Sequence, residues 1–188
     1  MNAKRATIAI LIILSAGAIA GMNWSCSKSS KSSGKQTLYD SLGGTTMVAD
    51  PATLDKNVEQ GYLAIRTIVD TAIFIIEADS TIDTTYFGTL LYDDTTNNIS
   101  GFENFSANLT NFLATAAGAT DYTYSGLDMY AAHNPDSNSR IGAKVTSAAF
   151  NEFAYDLAQS AHVYGLNNQL ISQIGDLLYK YEGQVVQQ

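Results

Sequence analysis

The stretch Asp121–His133, DYTYSGLDMYAAH, carries the side chain with the most distinctive chemistry in this sequence. His133 at its end is one of only two histidines in the chain. A neutral imidazole binds transition metals well, and the partner of its second ring nitrogen decides which nitrogen is free to do so. Met129 lies one helical turn earlier and would share its face. His133 can therefore reach an axial position of a planar metal cofactor. A surface histidine that follows a helix is the alternative and is commoner for a lone histidine.

Amphipathic segments on both sides of this stretch would position it. Apolar residues recur there at helical spacing on one face of each segment, which predicts one helix before the stretch and two after it. Ser100, Thr146 and Asn167 are predicted N-caps, and Gly118 and Gly165 are predicted to end two of the helices. The three apolar faces are Phe102, Phe105, Leu109, Phe112, Leu113 and Ala116; then Phe150, Phe153, Leu157, Ala161 and Tyr164; and last Leu170, Ile171, Ile174, Leu177, Leu178 and Tyr181.

The N-terminal half of the domain is also predicted to be helical. Thr37 and Asp40 form a capping box for a short helix that ends at Gly43-Gly44. Asp50-Pro51 is typical of a helix start, and the apolar spacing that follows predicts one long helix over residues 51–78, with a bend near Gly61. Residues 79–98 are polar and predict a loop that contains a short packed segment. No strand is required, so the predicted fold class is all-α.

Two motifs in the chain resemble those of the truncated haemoglobins. TLYDSLGG, residues 37–44, is similar to the opening of that family. The residues before His133 resemble the group 1 pattern aromatic-x-G-x-x-M-x-x-A-H, which reads here Tyr124, Gly126, Met129, Ala132 and His133. The resemblance extends over residues 37–186. It implies a truncated globin-like helical fold around a haem pocket.

The same resemblance implies a cofactor and the residues that contact it. The cofactor would be haem b, iron protoporphyrin, with His133 as the ligand of the iron. Its implied function is to bind a diatomic gas (oxygen, nitric oxide or carbon monoxide) for transport, sensing or detoxification of nitric oxide. No electron-donor reductase can be named from the sequence. The other residues implied to contact the haem are Met129, Phe105, Leu109, Phe112, Ile73, Phe74 and Phe150.

The chain departs from the family on the side of the haem where the gas binds. Members usually carry a tyrosine in the second helix that donates a hydrogen bond to bound oxygen, and alignment places Ala72-Ile73 there. Another register would place Tyr62 there instead. Polar residues of the family's distal helix fall here at Phe105, Asn108 and Leu109. A hydrogen-bond donor on this distal side typically stabilises bound oxygen by about 0.5–1.5 kcal/mol. We therefore expect a largely apolar distal side, fast oxygen dissociation and a poor oxygen store, unless Tyr62, Tyr86 or Tyr92 supplies the donor.

Residues 1–26 have the composition of a targeting segment. Lys4 and Arg5 precede an apolar stretch, Ile8–Ala20, that is too short to span a bilayer comfortably. Cys26 is the only cysteine, so no intrachain disulfide can form, and a Ser/Lys-rich tether follows over residues 27–36. We predict an exported lipoprotein of the cell envelope, periplasmic or on the outer surface, that is anchored to the membrane through lipidated Cys26. Ordinary cleavage and secretion, or an uncleaved anchor, are the alternatives.

Composition excludes some function classes. The chain is 46% hydrophobic with two prolines, which indicates a globular domain, and its formal net charge of -8 argues against nucleic acid as a partner. The acidic run Asp79 to Asp94 lacks the spacing of a calcium-binding loop and is better interpreted as solvated. His162 has no motif around it. The functional alternative to a haem protein is a non-haem binding lipoprotein whose globin-like pocket is filled by its own side chains.

Overall fold

Helices make up most of the chain that the computed structural model describes, namely residues 36–53, 55–91 and 100–188. The predicted signal segment, residues 1–26 with Cys26, lies outside those ranges, as does the predicted tether 27–36 except for residue 36. No described helix combines the length and apolar character needed to cross a membrane. In chain order the elements are α1 Leu38–Ser41, β1 Met47–Ala49, β2 Asn57–Glu59, α2 Gln60–Ala78, a π-helical turn Asp83–Phe87, α3 Gly88–Leu91, α4 Ser100–Ala117, α5 Met129–Ala132, α6 Ser147–Tyr164, α7 Asn168–Tyr179 and α8 Glu182–Val185.

Three of the predicted N-caps, Thr37, Thr146 and Asn167, are confirmed. The Thr37 hydroxyl accepts the Asp40 N–H at the start of α1, and the Asp40 carboxylate accepts the Thr37 N–H in return. Thr146 and Asn167 accept N–H groups three residues ahead at the starts of α6 and α7. Gly165 ends α6 with φ +97°, a left-handed conformation that is cheap only for glycine.

The segment before α2 differs from the prediction, because residues 47–59 form an antiparallel hairpin rather than the start of a long helix. Met47–Ala49 pairs with Asn57–Glu59, with Val48 opposite Val58. Helix α2 therefore begins at Gln60, and Gly61 lies in its first turn instead of at a bend.

The reason for this difference is the environment of Asp50. Its carboxylate accepts the Ala52 N–H at 2.9 Å and two N–H groups of Arg66, so it stabilises a turn and an ion pair instead of capping a helix. These hydrogen bonds lower the pKa of Asp50, the bond from Arg66 most strongly. The Asp50 N–H also donates to the Lys56 carbonyl at 2.8 Å, which closes the hairpin.

Helix α2 lies at the centre of the hydrophobic core and packs against α4 and α6. Its inward face is almost completely removed from water; α1 also packs against it, and α7 packs against α1 and α6. Each buried isoleucine or valine contributes roughly 1.5–3 kcal/mol through burial, so this face fixes the positions of α4 and α6. The buried residues on α2 are Gly61, Ala64, Ile65, Ile68, Val69, Ala72, Ile73 and Ile76.

A buried polar pair anchors α1 to the start of α2. Tyr39 is 1% exposed, Glu59 is 6% exposed, and the Tyr39 hydroxyl donates to Glu59 Oε2. Burial, together with this bond to Glu59, raises the pKa of Tyr39 well above its usual range. Gly61 makes the close approach possible, because a Cβ there would lie 2.9 Å from the Tyr39 ring.

Replacing Gly61 with alanine should therefore destabilise the domain. The new methyl group would overlap a buried ring and lie 3.1 Å from the Gly44 amide nitrogen. Overpacking of this kind costs roughly 1–3 kcal/mol. The matched control is Gly175→Ala in α7, where a Cβ meets nothing within 4 Å and helix propensity should add about 0.5–1 kcal/mol. Free energies of unfolding in urea that change equally in both variants would contradict this account.

The Tyr39 hydroxyl should contribute measurably to stability. Tyr39→Phe removes the partner of a buried carboxyl group, and the unsatisfied group should lower the free energy of unfolding by roughly 1–3 kcal/mol. Tyr179→Phe is the control, because the Tyr179 hydroxyl bonds Asn151 in an exposed position and its loss should change stability by no more than about 0.5 kcal/mol. Equal decreases in the free energy of unfolding in the two variants would show that the buried bond contributes no more to stability than the exposed one.

Candidate functional site

His133 ends the one-turn helix α5 at the surface of an internal cavity. Asp128 caps α5 by accepting the Ala131 N–H at 3.0 Å, and His133 is the C-cap residue. His133 Nδ1 lies 2.8 Å from the Met129 carbonyl oxygen. A carbonyl can only accept, so Nδ1 carries the proton and Nε2 keeps its lone pair. Burial lowers the pKa of His133, against the opposing effect of this bond, so the neutral imidazole predominates at neutral pH.

The residues around His133 are held by hydrogen bonds from distant parts of the chain. Asn138 Nδ2 donates to the Ala132 carbonyl at 2.8 Å, immediately before the histidine. Gln187 Nε2 donates to the Tyr130 carbonyl at 2.8 Å, and helix α8 packs against α5. The loop after α5 and the C-terminal segment therefore both hold the backbone of α5, next to His133.

The cavity has a volume of about 350 Å³ and walls that are mainly apolar. This volume is within the range of roughly 300–1,000 Å³ typical of small-molecule and cofactor sites. The walls come from the π-helical turn, α4, α5, α6 and the C-terminal elements. The predicted site residues that line it are His133, Met129, Phe105, Leu109, Phe112 and Phe150.

Two of the predicted haem contacts do not line this cavity. Ile73 is fully buried in the core face of α2, and Phe74 is 49% exposed with its ring against Phe102, centroids 5.6 Å apart. Consecutive helical residues point about 100° apart, so one of the pair packs into the core and the other points away from it. The structure therefore does not bring Ile73 and Phe74 together with the other predicted haem contacts.

One wall of the cavity comes from the segment after α2, where the sequence predicted a short packed segment but no haem contact apart from the possible donor Tyr86. Tyr86 and Phe87, on the π-helical turn, line the cavity together with Ile82. The Phe87 ring packs edge-on to Phe105 with centroids 5.5 Å apart, and it stacks on Phe153 at 6.2 Å. The aromatic pair inside an otherwise polar stretch was the available signal.

Polar residues also line the cavity, and some of them make hydrogen bonds within the chain. The Tyr124 hydroxyl donates to the Leu127 carbonyl at 2.6 Å, and Asn108 Nδ2 donates to the Asn104 carbonyl at 2.8 Å. Tyr86, Tyr181 and Arg140 are further polar residues of the lining.

The structure separates the tyrosines considered as distal donors. Tyr62 does not line the cavity. Its hydroxyl donates to Asn111 Oδ1 at 3.1 Å, and its ring stacks on Tyr122 with centroids 3.9 Å apart. Tyr92 lies outside the described residues. Of these three residues, Tyr86 is the one that the structure places at the cavity.

Among comparisons with known proteins, solved structures match this chain, whereas no family model and no curated protein does. A solved structure of the truncated haemoglobin from Tetrahymena pyriformis, in its Fe(III) form, matches with a TM-score of 0.57 at 17% identity, covering 81% of this chain and 100% of that chain. Two single-substitution variants of that protein give the same values. At this identity the likeness defines the fold alone: the described domain is mostly helical, with a truncated globin fold.

Proposed function

We propose that this protein binds haem in the cavity, with His133 Nε2 as the axial ligand of the iron, and that it binds a diatomic gas there. The observation that carries the proposal is the bond between His133 Nδ1 and the Met129 carbonyl beside a mainly apolar cavity of about 350 Å³. That bond sets the tautomer in which Nε2 can ligate a metal. Haem iron, when bound, supplies an open coordination position for oxygen, nitric oxide or carbon monoxide.

The lining residues fit a haem b held without covalent bonds. Phe105, Leu109, Phe150 and Phe153 supply apolar surface for a macrocycle. The only cysteine in the chain is Cys26, ahead of the domain, so a pair of thioether bonds from one chain cannot form. The non-haem alternative requires side chains that fill the pocket, and the cavity counts against it.

Export and lipid anchoring through Cys26 also belong to this proposal. They are supported by the targeting-segment composition of residues 1–26 and by the Ser/Lys-rich tether that follows. Such an anchor would hold a gas-binding domain at the cell envelope.

Loss of the imidazole should abolish or alter haem binding without unfolding the domain. We expect the purified chain and His162→Ala to take up one equivalent of haem and to show a Soret band. In His133→Ala that band should be lost or shifted, with an unchanged far-ultraviolet circular dichroism spectrum. His162 is the matched control because it is the only other histidine and is exposed on α6. If the folded wild-type protein takes up no haem, the result would favour the alternative of a non-haem binding lipoprotein. Identical spectra for all three proteins would exclude His133 as the ligand.

Oxygen dissociation tests the distal side of the cavity. The engaged amide of Asn108 and the apolar side chains around it lead us to expect fast dissociation in wild type, with carbon monoxide preferred. Tyr86→Phe should change the oxygen dissociation rate less than about twofold, because no stabilising bond to the gas is lost. A tenfold increase would correspond to about 1.4 kcal/mol. A slow wild-type rate that becomes fast in Tyr86→Phe would contradict an apolar distal side and identify Tyr86 as the donor. Laser photolysis and stopped-flow mixing measure both rates.

A further inference from the structure

Three carboxylates meet away from the cavity, where the end of α2 lies against α6. Asp79 is the C-cap residue of α2, and Glu152 and Asp156 lie one turn apart on the same face of α6. One oxygen atom from each of the three carboxylates lies within 4.8 Å of the others. Like charges at such distances repel, so the fold brings these groups together against an electrostatic cost.

The central carboxylate of this acidic cluster is buried and incompletely satisfied. Asp156 is 3% exposed, and its Oδ2 has no hydrogen-bond partner. Asp79 Oδ2 is likewise buried without a partner. Burial, together with the charges of Asp79 and Glu152, raises the pKa of Asp156 to about 6. Buried charges in proteins are normally paired or bound to a metal, because an uncompensated one costs several kcal/mol.

We propose that Asp79, Glu152 and Asp156 form a binding site for a hard divalent cation, and that calcium fits it best. All of the donors are carboxylate oxygens, which suit calcium, magnesium and manganese rather than softer metals. Oxygens bound to calcium at about 2.3–2.6 Å can lie up to about 5 Å apart across the ion, so separations within 4.8 Å suit a calcium ion. Asp79 and Glu152 are only half-buried, which leaves a route to solvent and room for water ligands.

A cation at this position would connect the end of α2 to one wall of the cavity. The π-helical turn that carries Tyr86 and Phe87 begins four residues after Asp79, and Phe153 follows Glu152 directly on α6. The Phe87 and Phe153 rings stack on one another. The cation would therefore hold together the two backbone segments that present this aromatic pair. The inference does not depend on haem, since the three ligands do not line the cavity.

The test compares thermal unfolding of the chelator-treated full-length chain with and without calcium. At calcium concentrations about 100-fold above its dissociation constant, the wild-type melting temperature should rise by about 5–10 °C. In Asp156→Asn the rise should be absent. Asp176→Asn is the matched control, because it removes an exposed carboxylate from α7 and should respond to calcium as wild type does.

The order of stabilities without calcium provides a second, independent readout. In chelator, Asp156→Asn should melt above wild type, because the substitution removes a buried charge, and added calcium should reverse this order. Glu152→Gln, at the half-buried edge of the site, repeats the test with a milder change and should weaken calcium binding at least tenfold by calorimetry. Wild type that does not respond to calcium would overturn the proposal. A calcium response retained by both variants would overturn it as well, and a larger response to zinc would overturn the choice of a hard cation.

Discussion

The burial of helix α2 between α4 and α6 determines how the other helices of the domain pack. Its inward face is removed from water along almost its whole length, so the two partner helices have little freedom in where they lie. The cavity opens beside this packed layer, not within it. This arrangement explains why Ile73 belongs to the core, although its place in the family alignment suggested contact with a cofactor.

The walls of the cavity have the character of a ligand-binding site. A mainly apolar pocket of about 350 Å³ with aromatic side chains in its walls is of the kind that binds small molecules and cofactors. The imidazole at its edge is already oriented by a backbone carbonyl, so ligation of a metal would need little reorganisation. Both features support the proposed binding of haem.

The acidic cluster is unusual because two of its buried carboxylate oxygens have no hydrogen-bond partner. A sequence that folds well normally satisfies its buried polar groups, and exceptions tend to occur at functional sites. Asp156 and Asp79 are such exceptions, and they lie where a cation would satisfy both. The linear pattern of residues 79–94 gave no calcium-loop spacing, because Glu152 and Asp156 approach Asp79 only through the packing of α6 on α2.

The local features of this domain could be predicted from the sequence alone. Caps such as Thr37, Thr146 and Asn167, the glycine that ends α6 and the apolar helical faces were predictable because they depend on neighbouring residues. The same holds for His133 following a helical turn. The hairpin around Asp50 depends on tertiary contacts, since its partner Arg66 lies nearly two helical turns into α2. The tertiary structure also decided which aromatic side chains line the cavity and which carboxylates meet, because such contacts join residues far apart in the chain and depend on how whole helices pack.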